Sequence, residues 1–434
     1  MPFLTPGLPF PWGEVIADML AASDPASAVA MHWPTDLGAR VHVLAAGKAS
    51  LGMAVAGVER LAGRCAGGLA MVVPELAAGA EAGRLVRAGV EVIAADHPRA
   101  SERNVAAARR VAEFVERLEP TDSLLVLLSG GASAHLTLPA PGLDLEVVAG
   151  VSAALMRAGA AIGELNAVRK HLEQLKGGRL AQRCRAGRIV ALVLSDVIGD
   201  ALDAIGSGPF APDPTTFADA LDVLGRWGVE GAAPRAGEFL RRGRGGELAE
   251  TPKPGEVCFT RVAHRVIARN DTALDASVRT LEAQGIGVES IRRGAAGEAA
   301  GLAAELVAQA QGGPAGSARP RAWILGGEPT VRVGRGTGTG GPAQELALAG
   351  ARLISGADRT ELLAFSTDGR DGPTDAAGAL VTGETWGAIA RTGLDPAGLL
   401  GNHDSHAALD RVGALIRTGP TGTNVNHVAV LLEY

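Results

Sequence analysis

The sequence predicts an α/β protein whose first part is a doubly wound parallel sheet. Two observations support this fold class. Short runs rich in Leu, Val and Ile alternate with longer segments of helical spacing, as in repeated β-α units. Nearly every one of these runs ends in a polar loop rich in glycine, which is where open α/β sheets bind their ligands.

The predicted strands of this sheet are, in chain order, 41–45, 69–73, 90–94, 124–128 and 189–194. Their composition suits strands that helices cover on both faces. Between the third and fourth strands, residues 101–118 show helical spacing, with Ser101 as a suitable N-cap.

The C-terminal part is predicted to form a second, smaller α/β domain. Two segments rich in Gly and Pro, 242–256 and 311–320, are candidate boundaries, and the second is the stronger. We therefore expect an N-terminal domain over 1–250, a connecting α/β segment over 251–314 and a C-terminal domain over 315–434. The elements predicted in the last part are strands 323–325, 362–365 and 428–432 and a helix over 343–354.

Composition agrees with a large folded protein. Of the 434 residues, 47% are apolar and 20% charged, so the chain can bury a large core in two or three domains. Aromatic residues make up only 3%, which argues against stacking on single-stranded nucleic acid. The 60 glycines are expected in turns and in loops that approach ligands closely.

Charge and cysteine content exclude several classes of protein. The net charge of -6, without a basic block, argues against nucleic acid as a partner. The three cysteines, Cys65, Cys184 and Cys258, have neither disulfide nor zinc spacing. Residues 1–12 lack the features of a signal peptide, and no uncharged stretch is suited to cross a membrane. We expect a cytoplasmic protein, with a homodimer as the candidate assembly.

The loop after the first predicted strand places Lys48 at the start of a helix. A lysine there opposes the helix dipole, which favours anions at that end, unless an anionic ligand compensates. The pattern therefore indicates an anion site at Lys48, although a solvated lysine would also fit it.

A second loop, Ser129-Gly130-Gly131-Ala132-Ser133, follows the most apolar strand. Its small residues leave several backbone amides free to surround an oxyanion or a phosphate. It is not a Walker A loop, because no Gly-Lys-Ser/Thr ends it, and it lacks the Gly-x-Ser-x-Gly spacing of a nucleophile. A plain tight turn is the alternative.

Charged residues follow in two further places. Arg169 and Lys176 would share a helix face if the helix continued between them, and could then bind a triphosphate or carboxylate together. Asp196 comes directly after a predicted strand, where it could hold Mg²⁺ or take a proton from a substrate hydroxyl. Solvated helix charges are the alternative for Arg169 and Lys176, and turn formation is the alternative for the later aspartates Asp200 and Asp213.

Gly336, Gly338 and Gly341 formally match the dinucleotide fingerprint Gly-x-Gly-x-x-Gly. The match is weak, because the run follows a predicted hairpin strand at 330–333 instead of opening a βαβ unit.

Taken together, these loops resemble the glycerate 2-kinase family, whose C-terminal half is known as the MOFRL domain and whose members also carry the name hydroxypyruvate reductase. The resemblance extends over about residues 40–430, with the motifs in the expected order. The motifs are Gly47-Lys48-Ala49, His97-Pro98, 129–133, 168–172 with 176–179, Ser195-Asp196 with Gly199-Asp200, 207–209, 326–328, 344–346, 367–369 with 371–373, and 418–425.

The resemblance implies a Rossmann-like N-terminal domain and ATP-dependent phosphorylation of the 2-hydroxyl of D-glycerate, with Mg²⁺. Lys48 would stabilise the transferred phosphoryl group, Arg169 would bind the glycerate carboxylate or phosphates, and Asp196 would hold the metal or take the hydroxyl proton. The residues expected to bind substrate or phosphate oxygens are Ser129, Gly130, Gly131, Ser133, Lys176 and Glu345. Glu328 and Asp368 are further metal candidates.

One motif departs from the family pattern. Family members commonly read Gly-Gly-Arg-Asn-Gln-Glu where this chain has 340–345, so Pro342 stands in the place of an arginine. Proline suits the first turn of the helix predicted there, because its missing N–H would be unpaired in any case. Arg335 or Arg332 could supply the charge instead, or the acceptor could be a different 2-hydroxy acid. His427 also stands where Asp is common.

The sequence is also compatible with two other functions. A hydroxypyruvate reductase that uses NAD(P)H would need the weak glycine fingerprint to be real. A non-catalytic anion-binding protein would fit the loss of the arginine.

Overall fold

The described residues of a computed structural model, 10–312, 320–334 and 336–434, form two six-stranded sheets. One sheet belongs to a large unit, Pro25–Ile267, and the other to a small unit, which contains Ala268–Tyr434 and the helix that precedes residue 25. The strands are β1 Val41–Ala46, β2 Cys65–Val72, β3 Val90–Ala94, β4 Ser123–Leu128, β5 Arg188–Leu194, β6 Val262–Ala268, β7 Gly287–Glu298, β8 Arg321–Thr330, β9 Thr360–Ser366, β10 Gly378–Thr382, β11 Leu415–Ile416 and β12 His427–Glu433.

The α-helices are α1 Trp12–Ala22, α2 Pro25–Met31, α3 Ser50–Leu61, α4 Ala80–Arg87, α5 Glu102–Glu116, α6 Ala132–His135, α7 Leu145–Ala158, α8 Ile162–Leu172, α9 Arg179–Arg183, α10 Phe217–Arg226, α11 Pro234–Arg244, α12 Asn270–Ala283, α13 Ala299–Gln311, α14 Pro342–Leu353, α15 Thr385–Arg391, α16 Pro396–Gly401 and α17 Ser405–Asp410. Among the helices described, none has the length and apolar character that crossing a membrane requires.

The large unit has the strand order β3-β2-β1-β4-β5-β6. The pairs among β1 to β5 are parallel, so the predicted doubly wound parallel sheet is confirmed. The chain first builds outward from β1 to β3 and then returns to add β4 on the other side of β1. At such a reversal the loops after the two central strands diverge and leave a crevice for ligands. Ala46 pairs with Leu128, so the loops after β1 and β4 begin side by side.

The apolar runs became strands because the sheet buries them. Every residue of β1 and β4 is buried, and the bounds of β3 match the prediction. β2 begins four residues earlier than predicted, at Cys65, and its first four residues are half-buried or exposed. Partly exposed strand ends have no apolar pattern, which is why sequence periodicity missed them.

Helix α5 begins as predicted, with Ser101 as its N-cap. The fully buried Asn104 completes the cap, since its side-chain oxygen accepts from the amides of Asp96 (3.0 Å) and Ser101 (3.2 Å). Its side-chain nitrogen donates to the carbonyls of Asp96 and Ala134, both at 2.9 Å. Asn104 therefore ties α5 to α6, the short helix that follows β4.

The small unit has the strand order β11-β10-β9-β12-β8-β7 and is mostly antiparallel, with β7 and β8 as a parallel pair. It is the predicted second α/β domain. Pro342 occupies the first turn of α14, as its missing N–H predicts. β8 ends at Thr330, so the hairpin strand predicted over 330–333 is absent from the described chain.

The predicted domain limits at 250 and 315 differ from the division of the structure, which falls between residues 267 and 268. In the described part of 251–314, β6 extends the large sheet while α12, β7 and α13 pack in the small unit, so this stretch is divided between the two units. The glycine-rich segment 311–320, of which 313–319 lie outside the described residues, connects α13 to β8 within one unit. Glycine and proline therefore marked a connection and not a domain boundary.

We predict that Asn104→Ala will lower the free energy of unfolding of the large unit by roughly 2–3 kcal/mol, because it leaves buried backbone groups without partners. The measurement is urea denaturation followed by circular dichroism. Arg109→Ala, an exposed position on the same helix, is the matched control. Equal urea midpoints for the two variants would contradict the role of Asn104.

Candidate active site

The loops after β1 and β4 are joined to each other by hydrogen bonds. The amide of Lys48 donates to the carbonyl of Gly130 (2.8 Å), and the amide of Ala49 donates to the hydroxyl of Ser129 (3.0 Å). The amide of Ser129 donates in turn to the carbonyl of Ala46 (3.1 Å). The structure thus brings together two of the loops that the sequence analysis singled out, at the reversal point of the sheet.

This close approach requires glycine at two positions. Gly47 has a φ of 118°, and a Cβ there would lie 2.3 Å from the Ser129 hydroxyl. Gly131 has a φ of 88°, and a Cβ there would lie 2.9 Å from the ring of His97 and 3.3 Å from the side chain of Lys48. The half-buried side chain of Lys48 therefore passes directly over Gly131.

His135 accepts a hydrogen bond from the backbone of the Lys48 loop. Its Nδ1 accepts a hydrogen bond from the amide of Gly47 (3.1 Å), which requires that nitrogen to be unprotonated. Burial lowers the pKa of His135 to about 4, so the ring is neutral at physiological pH. Sequence reasoning missed this residue, because nothing in the spacing of a single histidine 88 positions from Gly47 indicates the contact.

Ser133 lies in α6, where its hydroxyl is 2.8 Å from the hydroxyl of Ser207. Asp196 follows β5, the next strand along the sheet, and is half-buried. Lys48, the 129–133 loop and Asp196 follow three adjacent strands, β1, β4 and β5. Because parallel strands end at the same edge of a sheet, all three begin at that edge.

The predicted pairing of Arg169 and Lys176 on one helix face is wrong. Helix α8 ends at Leu172, and Glu173 is extended, so Lys176 lies beyond the helix. The Lys176 ammonium is buried against the carboxylate of Glu173 (2.5 Å) and near the Thr137 hydroxyl (3.4 Å). Burial lowers the pKa of Lys176, although Glu173 opposes that effect. Lys176 therefore has an internal counter-charge.

Arg169 stays on α8, half-buried, with its Nε donating to the hydroxyl of Ser152 (3.1 Å). Burial lowers the pKa of its guanidinium, against the opposing effect of Glu173. The remaining N–H groups of a guanidinium can bind a carboxylate in a bidentate manner, so this cation suits an acidic substrate.

In the small unit, Glu328 and Asp368 lie at one edge of the sheet. β12 is antiparallel to both β8 and β9, and His427 pairs with Gly327 on one side and Ser366 on the other. Glu328 is exposed. An oxygen of Asp368 accepts from the Ser366 hydroxyl (2.9 Å) and the Arg370 amide (3.0 Å).

The carboxylates fit Mg²⁺ only as single ligands. Across the described part of the chain, no group of three His, Cys, Asp or Glu residues is arranged to hold a metal ion. Mg²⁺ commonly needs just one or two carboxylates, with phosphate oxygens and water completing its octahedron. Asp196, Glu328 and Asp368 supply oxygen donors of that kind.

The N-terminus of α14 is already occupied by a carboxylate of the protein. The buried Asp371 accepts from the amides of Ala343 (3.0 Å) and Gln344 (2.8 Å) and from the Gln344 side chain (3.0 Å). These are the first amides of the helix, because Pro342 has none. A carboxylate there satisfies the helix dipole, so this helix end is not open to a phosphate.

Glu345, in the first turn of α14, is buried and pairs with Nδ1 of His403 (2.8 Å). Burial raises the pKa of Glu345. Arg332 is exposed, 3.4 Å from Glu298. Arg335 lies outside the described residues.

The glycines of the formal dinucleotide fingerprint contact the protein itself. A Cβ at Gly338 would lie 2.5 Å from the Asn402 carbonyl, and one at Gly341 would lie 2.3 Å from the carboxyl carbon of Asp371. The amides of Thr337 and Thr339 donate to the side chains of Asn402 (3.1 Å) and Asp404 (3.0 Å). A dinucleotide site needs such backbone open to a pyrophosphate, so this geometry does not support the fingerprint.

Comparisons with known proteins agree with the loop motifs. A family model described as a domain of unknown function, DUF4147, matches residues 13–241, and the MOFRL family model matches residues 321–427. The chain is 41% identical to the D-glycerate 2-kinase of Thermotoga maritima, over 78% of this chain and 79% of that protein. It is 37% identical to a putative hydroxypyruvate reductase of Agrobacterium vitis, over 95% and 92%.

A solved structure shows the same fold. The crystal structure of glycerate kinase from Thermotoga maritima superimposes with a TM-score of 0.83 at 38% identity, covering 97% of this chain and 98% of that one. The resemblance inferred from the ordered loop motifs is therefore confirmed, and the chain belongs to the glycerate 2-kinase family, with a MOFRL domain in its C-terminal part.

Proposed function

We propose that this protein is a kinase that transfers the γ-phosphoryl group of ATP to the 2-hydroxyl of D-glycerate, giving 2-phosphoglycerate and ADP. The observation that carries the proposal is the junction of the Lys48 and Ser129–Ser133 loops at the reversal point of the large sheet. It occurs in a chain 41% identical to a D-glycerate 2-kinase.

Phosphoryl transfer requires mainly positioning and neutralisation of negative charge. Lys48 is the residue we assign to the charge of the transferred group. The amide of Lys48 is hydrogen-bonded to Gly130, and its side chain packs over Gly131. The ammonium group is therefore carried by a rigid loop. A preorganised cation stabilises the transition state without reorganisation at the moment of reaction.

Asp196 and Arg169 complete the proposed roles in the large unit. Asp196 would hold Mg²⁺ or take the proton of the 2-hydroxyl, and Arg169 would bind the glycerate carboxylate or phosphates. Mg²⁺, when bound with the nucleotide, would neutralise phosphate charge. Glu328 and Asp368 are further candidates for its ligands, and Glu345 for substrate binding.

Lys176 is assigned a supporting role in this scheme. Its ammonium is held by Glu173 and lies near Thr137, and the Thr137 hydroxyl donates to the carbonyl of Ser133 (3.1 Å). Through this chain of contacts Lys176 would hold the 129–133 loop in place.

A hydroxypyruvate reductase is the second candidate, because relatives in Agrobacterium vitis carry that name. Two of the glycines that it would need, Gly338 and Gly341, lie against Asn402 and Asp371 of the protein itself, which favours the kinase. An assay of NADH or NADPH absorbance with hydroxypyruvate separates the two.

We also propose a cytoplasmic location, in line with ATP as a substrate and with three free cysteines.

The first prediction concerns the reaction. With Mg-ATP and D-glycerate the protein should release ADP and form 2-phosphoglycerate, measured by a coupled ADP assay and by NMR of the product. Other small 2-hydroxy acids tested in parallel would identify a different acceptor. Formation of 3-phosphoglycerate alone, or no ADP with any of these acids, would disprove the proposal.

The second prediction concerns Lys48. Lys48→Met should lower kcat at least ~10²-fold, comparable to the loss of one strong electrostatic contact in such a site, while circular dichroism shows an intact fold. Lys253→Met is the matched control, since Lys253 is half-buried and bonded to Thr215 and Thr251 instead. Near wild-type turnover of folded Lys48→Met would show that Lys48 is only a solvated lysine.

The third prediction concerns the arginine that Pro342 replaces. We propose that Arg335 supplies the missing charge. A hydrogen bond to a charged group contributes ~1.5–3 kcal/mol, so its loss should be measurable. Arg335→Ala should then impair KM or kcat by ~10-fold or more, measured in the ADP assay, and Arg332→Ala is the matched control. If Arg335→Ala has no effect while Pro342→Arg raises glycerate turnover, a different acceptor becomes the better assignment.

A further inference from the structure

The hydroxyl of Ser133 is linked to two buried residues of the large unit. Its Oγ lies 2.8 Å from Oγ of Ser207, and Ser207 donates to Oδ1 of Asn166 (3.1 Å). Ser207 and Asn166 are buried, whereas Ser133 is half-buried. Ser133 is thus the outer end of a three-residue chain of hydrogen-bonding groups.

The position of Ser207 is fixed by its backbone. Gly206, Ser207 and Gly208 have φ values of 60°, 60° and 63°, and a serine adopts this left-handed conformation only where its surroundings hold it there. The amide of Gly177 donates to the carbonyl of Ser207 (2.9 Å), and that of Gly178 to the carbonyl of Gly208 (2.7 Å). The Ser207 hydroxyl is therefore a built-in partner for Ser133.

The three linked side chains, Ser133, Ser207 and Asn166, fix the direction of the hydrogen bonds between them. A serine hydroxyl has one proton, and the side-chain oxygen of Asn166 can only accept. The Ser207 hydroxyl donates its hydrogen bond to Asn166, so it must be the acceptor in its contact with Ser133. Ser133 then donates its own proton inward to Ser207. What Ser133 presents on its exposed side are lone pairs, which accept hydrogen bonds and cannot donate one to a phosphate or carboxylate oxygen.

We propose that Ser133 determines specificity by accepting a hydrogen bond from the 3-hydroxyl of glycerate, the hydroxyl that is not phosphorylated. This inference rests on the proposed function. The reacting 2-hydroxyl has to lose its proton, and a carboxylate is suited to take it, whereas a neutral serine is a poor base. A neutral acceptor suits the hydroxyl that keeps its proton.

The test compares D-glycerate with D-lactate, which has the 2-hydroxyl and the carboxylate but lacks the 3-hydroxyl. Wild-type protein should have the higher kcat/KM with glycerate. Ser133→Ala should reduce the glycerate-to-lactate ratio of kcat/KM by ~10-fold or more, because a hydrogen bond between neutral groups of this kind corresponds to about a tenfold effect. The loss should be larger for glycerate than for lactate.

Ser207 provides a second pair of variants. Ser207→Ala and Ser207→Gly both remove the partner that holds the proton of Ser133 inward, so the hydroxyl can rotate and its lone pairs are no longer held outward. Both variants should therefore reduce the same ratio. The two variants differ in backbone strain, because glycine adopts this positive φ without steric cost and alanine does not. Equal effects of the two would support the role of the hydroxyl. A ratio unchanged in both, with glycerate and lactate activities falling together, would show a merely structural role and overturn the proposal.

Binding measured without turnover separates this inference from the proposed function. Calorimetric titration of each acid into the wild type and Ser133→Ala gives the preference directly. If the wild type prefers glycerate over lactate, Ser133→Ala loses that preference and no ADP forms, the kinase assignment fails and the hydroxyl assignment holds. If ADP forms but the preference for glycerate survives Ser133→Ala, the hydroxyl assignment fails and the kinase assignment stands.

Discussion

The site of the large unit depends on the close contact between the loops that follow β1 and β4. Their backbones exchange hydrogen bonds through Lys48, Gly130 and Ser129, and no side chain larger than hydrogen fits at Gly47 or Gly131. Because parallel strands fix the starting points of both loops, the contact turns two flexible glycine-rich segments into one rigid surface. Lys48 and Ser133 are held by that surface, so their directions are set before any ligand arrives.

Several charged or polar groups in the motif loops serve the fold. Asp371 satisfies the first amides of α14, Glu173 neutralises the buried Lys176, and His135 accepts the amide of Gly47. Burial of an unpaired charge or amide is costly, whereas the same group with its partner is tolerated. The motif loops and their neighbours therefore mix residues that hold the loops with residues that we propose to face the ligand, and proximity in sequence does not separate the two.

The polarity of the site supports an acidic, hydroxylated substrate. In the proposed site, Lys48 and Arg169 would supply positive charge, and Ser133 would present an acceptor whose direction is set by Ser207 and Asn166. Cations favour the carboxylate and phosphate groups of glycerate and ATP, while an acceptor favours a hydroxyl. A site that combines the two can select among small hydroxy acids that share the same carboxylate.

The sequence by itself determined five of the six strands of the large sheet, the capped start of α5, the place of Pro342 in a helix and, through its ordered motifs, the family. These features follow from local patterns, because periodicity and the limited φ of proline act within a few residues. Tertiary structure decided which charges are internal. Asp371 reaches amides 27 and 28 positions away, and His135 reaches Gly47 across 88. Such pairings arise from strand order and register, which no spacing in the sequence encodes.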